Sequence, residues 1–193
     1  MKETKEALKA RILDGAAVLF AEKGIENVST RELTERLSIS RSHIYYYFSD
    51  WQTLCIAALT RYLQNELDDF SRSIESTLPA EKLHTIIENY LPDAPDAVWQ
   101  LYGSLWQMAG RDKAFAELAE LFIEKWSHFI TAIVEEGNAN GIYRPVETAR
   151  FTRQLGAMLN GYADSLTISP TPAKHREAVE DIQAFIRLTL LVE

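Results

Sequence analysis

Apolar residues recur along this chain at three- and four-residue steps, and strict alternation is missing, so the pattern predicts helices and no sheet. The first periodic segment, 4–23, sets Leu8, Ile12, Ala16, Leu19 and Phe20 on one face and stops at Gly24, a C-terminal cap glycine. In "VSTREL", Ser29 precedes Glu32 by three residues, the spacing of a capping box. Val28 and Leu33 flank it as a hydrophobic staple, which predicts a helix over 30–37. Ser38, Ile39 and Ser40 then form a tight turn, Ser40 caps a helix over 41–48, and Ile39 staples to Ile44. Two short helices joined by a three-residue turn are a helix-turn-helix. A longer helix is predicted over 51–77, then others over 80–91, 95–109, 113–138, 146–168 and 173–192. Proline and glycine at 79, 92, 95, 110, 141, 145, 170 and 172 supply the breaks. The fold class is all-α.

The stretch "LSISRSHIYYYFSDW" sets three tyrosines and a phenylalanine in a row just after the turn. At 100° per residue, Ile44 and Phe48 fall one turn apart, on the face toward Leu33, Leu37 and Ile39. Arg41, Ser42, Tyr45 and Tyr46 then point away from that core, and Tyr47 lies at its edge. A phenol can donate to a phosphate oxygen, its ring can pack on a thymine methyl, and an arginine can take guanine bidentately. The residues alone leave two readings: a DNA-reading surface, or a polar aromatic patch that meets protein or water.

Charge sharpens this only when it is located. The net charge is −8 over 193 residues. Up to Cys55 eight basic residues balance eight acidic ones, and the remainder holds twelve against twenty. A neutral segment binds DNA when its cations share a face. Cys55 is the only cysteine, which excludes an intrachain disulfide and fits a reducing, cytoplasmic setting. The N-terminus reads as an amphipathic helix rather than a secretion signal, and no apolar run reaches membrane-spanning length.

The segment "ILDGAAVLFAEKGIENVSTRELTERLSISRSHIYYYFSDWQTL", 12–54, resembles the DNA-binding domain of the TetR family of bacterial transcription regulators. The resemblance implies a three-helix DNA-binding domain over 1–50 and a helical ligand-binding and dimerisation domain over 51–193. It implies a homodimer on a palindromic double-stranded operator, repressing until a small-molecule effector binds. By the same resemblance Ser29 and Thr30 cap the second helix and touch phosphate. Arg41, Ser42, His43 and Tyr46 face the major groove, Tyr45 and Tyr47 meet backbone or bases, and Lys9 meets phosphate. The family commonly has alanine at Thr34, glycine at Ser38, a small residue or glycine at Ser42, and a phosphate-binding lysine at Trp51. Trp51 therefore either stacks on the DNA backbone or packs.

Beyond the fourth helix, Trp99, Tyr102 and Trp106 share one helical face, as do Phe122, Trp126, Phe129 and Ile133 on a later helix. These residues are core, or they line a cavity that Gln107, Asn160 and Asp164 make partly polar. The segment 98–166 is similar to the choline/betaine-regulator type of C-terminal domain. Rings and a carboxylate suit a cation; a neutral aromatic or acyl ligand is the alternative. Gly156, Ala157 and Gly161 permit close helix approach, and Ile182, Phe185, Ile186 and Leu190 form a stripe. Those two helices pair with a second subunit or close one protomer's core.

Enzyme chemistry has little purchase here. His43, His84, His128 and His175 stand in no metal-binding spacing, and no phosphate-binding glycine loop occurs. The expectation is a non-enzymatic regulator with no cofactor and no metal.

Overall fold

The computed structural model describes residues 4–191; Val192, the expected end of the last helix, and positions 1–3 and 193 lie outside the described residues. The helices are α1 (Lys5–Lys23), α2 (Thr30–Leu37), α3 (Arg41–Tyr47), α4 (Trp51–Ser73), α5 (Pro79–Tyr90), α6 (Ala97–Ala109), α7 (Lys113–Ala139), α8 (Thr148–Ile168) and α9 (Pro172–Leu190). A 3-10 turn, Ile25–Asn27, joins α1 to α2 and has no signal in the periodicity. Helix α4 ends at Ser73, four residues short of the expected 77, in a turn closed by Ile74 N–H to Ser71 and Thr77 N–H to Ile74.

The chain divides into two compact units. The first holds the residues up to Asp68 together with Gln100–Leu121, and the second holds Asp69–Trp99 with 122–193.

In the first unit, Ile12, Ala16, Phe20, Leu33, Ile44 and Phe48 are buried, and α1 packs on α2 and α2 on α3. Fully burying an isoleucine or phenylalanine side chain contributes about 1.5–3 kcal/mol. Thr4 caps α1 by accepting from Ala7 N–H at 3.1 Å. The capping box of α2 is half formed. Ser29 accepts from Glu32 N–H at 3.3 Å, while the Glu32 carboxylate pairs with Lys23 instead of turning back. Ser40 stands at the N-cap of α3, but its hydroxyl meets Ser42 Oγ and His43 Nδ1, each at 2.7 Å, instead of capping a backbone N–H.

The turn after α2 is a Schellman closure: Ile39 N–H donates to Thr34 O at 3.1 Å and Ser38 N–H to Glu35 O at 3.3 Å. That puts Ser38 in the left-handed region, φ 54°, where a Cβ is disfavoured by roughly 1–2 kcal/mol. A glycine suits this position for that reason. Ser104, buried on α6, accepts from Ile25 N–H at 2.9 Å and donates to Glu26 Oε2 at 2.7 Å, fixing the 3-10 turn.

In the second unit α5, α8 and α9 pack on one another. Ile182 and Ile186 are buried there, so that part of the α9 stripe fills the protomer's own core, and Phe185 stacks on Phe151 at 5.5 Å. Helix α7 closes on Gly141, φ 68°, with Ile142 N–H donating to Gly137 O at 2.9 Å. The Tyr143 ring then lies directly over Gly137, and a Cβ built there would sit 2.0 Å from it. We expect Gly137→Ala to destabilise the protein by about 1–3 kcal/mol, as overpacking does, read as a lower denaturant midpoint with an unchanged slope. A midpoint equal to wild type would mean that the ring lies elsewhere.

Candidate nucleic-acid interface and ring cluster

Helix α3 has seven residues, too few to persist alone, and is held by Ile44 and its cap residue Phe48, both buried. Burial of those two turns the others outward. Arg41, Ser42 and His43 are exposed, Tyr45 is 44% and Tyr46 64% exposed, and Tyr47 is half-buried. Their mutual geometry is ordered. The Arg41 guanidinium lies 6.0 Å from the Tyr45 ring centroid. Hydrogen bonds from Thr30 and Arg41 hold the Tyr45 phenol below the usual tyrosine value. Tyr46 and Tyr47 meet edge to face at 4.9 Å.

Among the described cations up to Cys55, Arg11 donates to Leu37 O at 3.0 Å, and the others meet carboxylates or rings. On one side carboxylates answer them: Arg36 forks onto Glu22 at 2.6 and 3.0 Å, Arg31 pairs with Glu35 and Lys23 with Glu32, while Arg61, beyond Cys55, pairs with Asp14. On the other side cations lie against rings. Lys9 sits 5.8 Å from the Phe48 ring centroid, Lys5 sits 5.3 Å from that of Tyr46, and Arg41 lies over Tyr45. Lys5 was not among the sequence candidates. Its signal was the four-residue spacing to Lys9, which puts both ammonium groups on one face of α1.

Trp51 is half-buried, and its ring meets Phe20 edge to face at 6.1 Å. The start of α4 is capped by Asp50, whose Oδ1 accepts from Thr53 N–H at 2.7 Å; that bond holds the carboxyl below its ordinary value.

The expected ligand residues fall in both compact units. Tyr102 and Trp106 stack on each other at 5.8 Å and belong to the first unit, whereas Trp99 belongs to the second. Phe122 is fully buried. Asn160 and Asp164 are exposed on α8. In the second unit the expected Trp99, Trp126 and Phe129 join Phe70 and Tyr90 in a five-ring cluster. Tyr90 meets Trp99 at 4.9 Å and Trp126 at 5.2 Å; Phe70 meets Trp126 at 5.2 Å and Phe129 at 6.1 Å. All four contacts are edge to face, the arrangement ring quadrupoles prefer. The Tyr90 hydroxyl donates to Asn160 Oδ1 at 3.1 Å, and Trp99 Nε1 donates to Tyr90 O at 3.2 Å. Phe70 and Tyr90 were missed because each ends a different helix with no local partner in the sequence.

Comparison with known proteins decides the family. The profile of bacterial regulatory proteins of the tetR family matches residues 12–58, and that of the BetI-type transcriptional repressor C-terminal region matches 79–191. The chain belongs to the TetR family. It is a DNA-binding transcriptional regulator of TetR type with a helix-turn-helix, as the sequence implied. An uncharacterized HTH-type transcriptional regulator from Bacillus subtilis (strain 168), YfiR, is 23% identical over 76% of this chain and 73% of its own. A TetR transcription regulator from Haloarcula marismortui ATCC 43049 superposes with TM-score 0.84 at 16% identity, covering 96% of this chain and 99% of the other. A transcriptional regulator from Saccharomonospora viridis, solved in complex with choline, gives TM-score 0.83 at 20% identity over 98% and 100% of the two chains. Among the described residues no helix of this TetR-family chain is long and apolar enough to cross a membrane.

Placing a lysine at position 51 separates packing from phosphate contact. Trp51→Lys should cost about 1–2 kcal/mol of stability, because it removes the ring that meets Phe20. If position 51 also lies beside phosphate, the slope of log affinity against log salt should steepen by about 0.9 per added contact. An unchanged melting midpoint would contradict the packing role, and an unchanged slope would put position 51 away from the DNA backbone.

Proposed function

We propose that this regulator is a homodimeric repressor that binds a palindromic operator through α3 and is released by a small molecule bound in its C-terminal helices. In this reading residues 1–50 read DNA and 51–193 bind the effector and the second subunit. The observation that carries it is the grouping of Arg41, Tyr45 and Tyr46 on the outer face of α3 with Lys5 and Lys9 beside them. The guanidinium offers a fork to guanine, and the phenols and the Lys9 ammonium suit phosphates. The helix-turn-helix amides of Thr30 and its neighbours, behind the Ser29 cap, add donors at a helix start.

One seven-residue helix reads few base pairs, so a symmetric pair is expected, with half-sites about 34–36 Å apart. Support for pairing through α8 and α9 comes from their outer faces. Ala157 and Gly161 are exposed, a Cβ at Gly156 or Gly161 would meet open space, and Ile168 and Leu188 are 85% and 77% exposed. With Ile182 and Ile186 already buried, the partner-facing apolar residue of α9 in this reading is Leu188.

For the effector, the five-ring cluster of Phe70, Tyr90, Trp99, Trp126 and Phe129 favours a quaternary ammonium compound, since ring faces attract cations. The choline complex of the Saccharomonospora viridis regulator supports the same class. Titrating choline should quench or shift tryptophan fluorescence and lower affinity for a bound operator; a flat titration would leave the neutral aromatic or acyl class.

The DNA reading is tested by selecting duplexes from a random pool with the wild-type protein. The expected result is an inverted-repeat consensus. Arg41→Ala should weaken binding to it by roughly 1–3 kcal/mol per lost base contact while leaving scrambled duplex nearly unaffected. A pool that yields no consensus would defeat the reading.

A further inference from the structure

The contact between Lys5 and Tyr46 joins residues 41 positions apart and lies on the face proposed to read DNA. Lys5 Nζ donates to Tyr46 Oη at 2.8 Å, and the same ammonium lies 5.3 Å from the centroid of that ring. The Tyr46 ring is braced from another side by the edge-to-face contact with Tyr47, yet remains 64% exposed. Tyr46 is therefore a side chain held in place without being covered.

The chemistry of the two groups gives this contact a direction. A phenol has one hydrogen and two lone pairs, whereas an ammonium has three hydrogens and no acceptor. Lys5 can only occupy a lone pair of Tyr46, so the phenolic hydrogen stays available for an acceptor elsewhere. A donor that itself accepts a charged hydrogen bond is polarised and donates more strongly. The bond to Tyr46 raises the Lys5 pKa above the ordinary lysine value, so the group is an ammonium throughout the neutral range.

We propose that Lys5 is a positioning residue of the DNA-reading surface: it holds Tyr46 oriented as a hydrogen-bond donor toward an acceptor on the DNA. This rests on α3 reading DNA, as proposed above. The acceptors that fit are phosphate oxygens and, in the major groove, guanine N7 and O6, adenine N7 and thymine O4. The cytosine amino group offers only a donor there and is disfavoured opposite Tyr46. The N-terminal turn of α1 thereby contributes to specificity through a tyrosine on another helix.

A double-mutant cycle on the duplex selected by the wild-type protein, with its scrambled counterpart as control, tests this. Lys5→Met alone should lower affinity for the selected duplex roughly three- to tenfold, the scale of one lost hydrogen bond. In a Tyr46→Phe background the same substitution should change it less than about twofold, because the positioned hydroxyl is already gone. Lys5→Arg, which keeps the charge and the N–H donors, should restore most of the selected-to-scrambled ratio. Thermal melts of all variants confirm folding, since both side chains are exposed and neither is core. Equal losses from Lys5→Met in both backgrounds, on selected and scrambled duplex alike, would overturn the proposal and make Lys5 an independent phosphate contact. Wild-type protein that selects no consensus would instead defeat the underlying reading of α3, and this one with it.

Discussion

The burial of Ile44 and Phe48 is the constraint on which the rest of the helix-turn-helix surface depends. A seven-residue helix lacks the length to form by itself, so α3 exists only because those two side chains enter the core that α1 and α2 supply. Their spacing of one turn also sets rotation. Once both point inward, Arg41, Ser42 and Tyr45 must point outward, and Tyr47 must fall on the edge. The buried pair and the exposed side chains are thus two sides of one helical period.

The same unit sorts its charges by partner. The first 55 residues are charge-neutral, yet their cations are sorted. Those on and around α2 meet carboxylates within the unit, at Arg36–Glu22 and Lys23–Glu32. Those on the first turns of α1 and on α3 meet rings. A ring attracts a cation without neutralising it, so the charge remains available to a phosphate. The acidic excess lies in the remainder of the chain, and net charge alone was a poor guide to partner.

Ring chemistry recurs in the second unit with a different geometry. The five aromatic side chains there meet edge to face, anchored by Trp99 Nε1 on the Tyr90 carbonyl and by the Tyr90 hydroxyl on Asn160. Buried aromatic groups with polar ends need such partners, and these two bonds fix ring orientation as well as satisfy donors. The cluster draws on α4, the end of α5, the start of α6 and the middle of α7.

The sequence by itself determined the helical class, the order and near ends of the helices among the described residues, the helix-turn-helix and the inward pair on α3. These are properties of local spacing: a 3.6-residue period, a cap residue, a breaking glycine or proline. Caps were legible as positions but not always as bonds, because Glu32 found Lys23 and Ser40 found His43, partners that only the folded chain offers. Tertiary structure alone decided that Lys5 meets Tyr46, that Trp51 packs on Phe20, that Trp99 meets Tyr90 and Trp126 meets Phe70, and that Ile182 and Ile186 are interior. Each of those facts joins residues from different helices. A hydrophobic period says which face of a helix is apolar, and it carries no information about which neighbour covers that face.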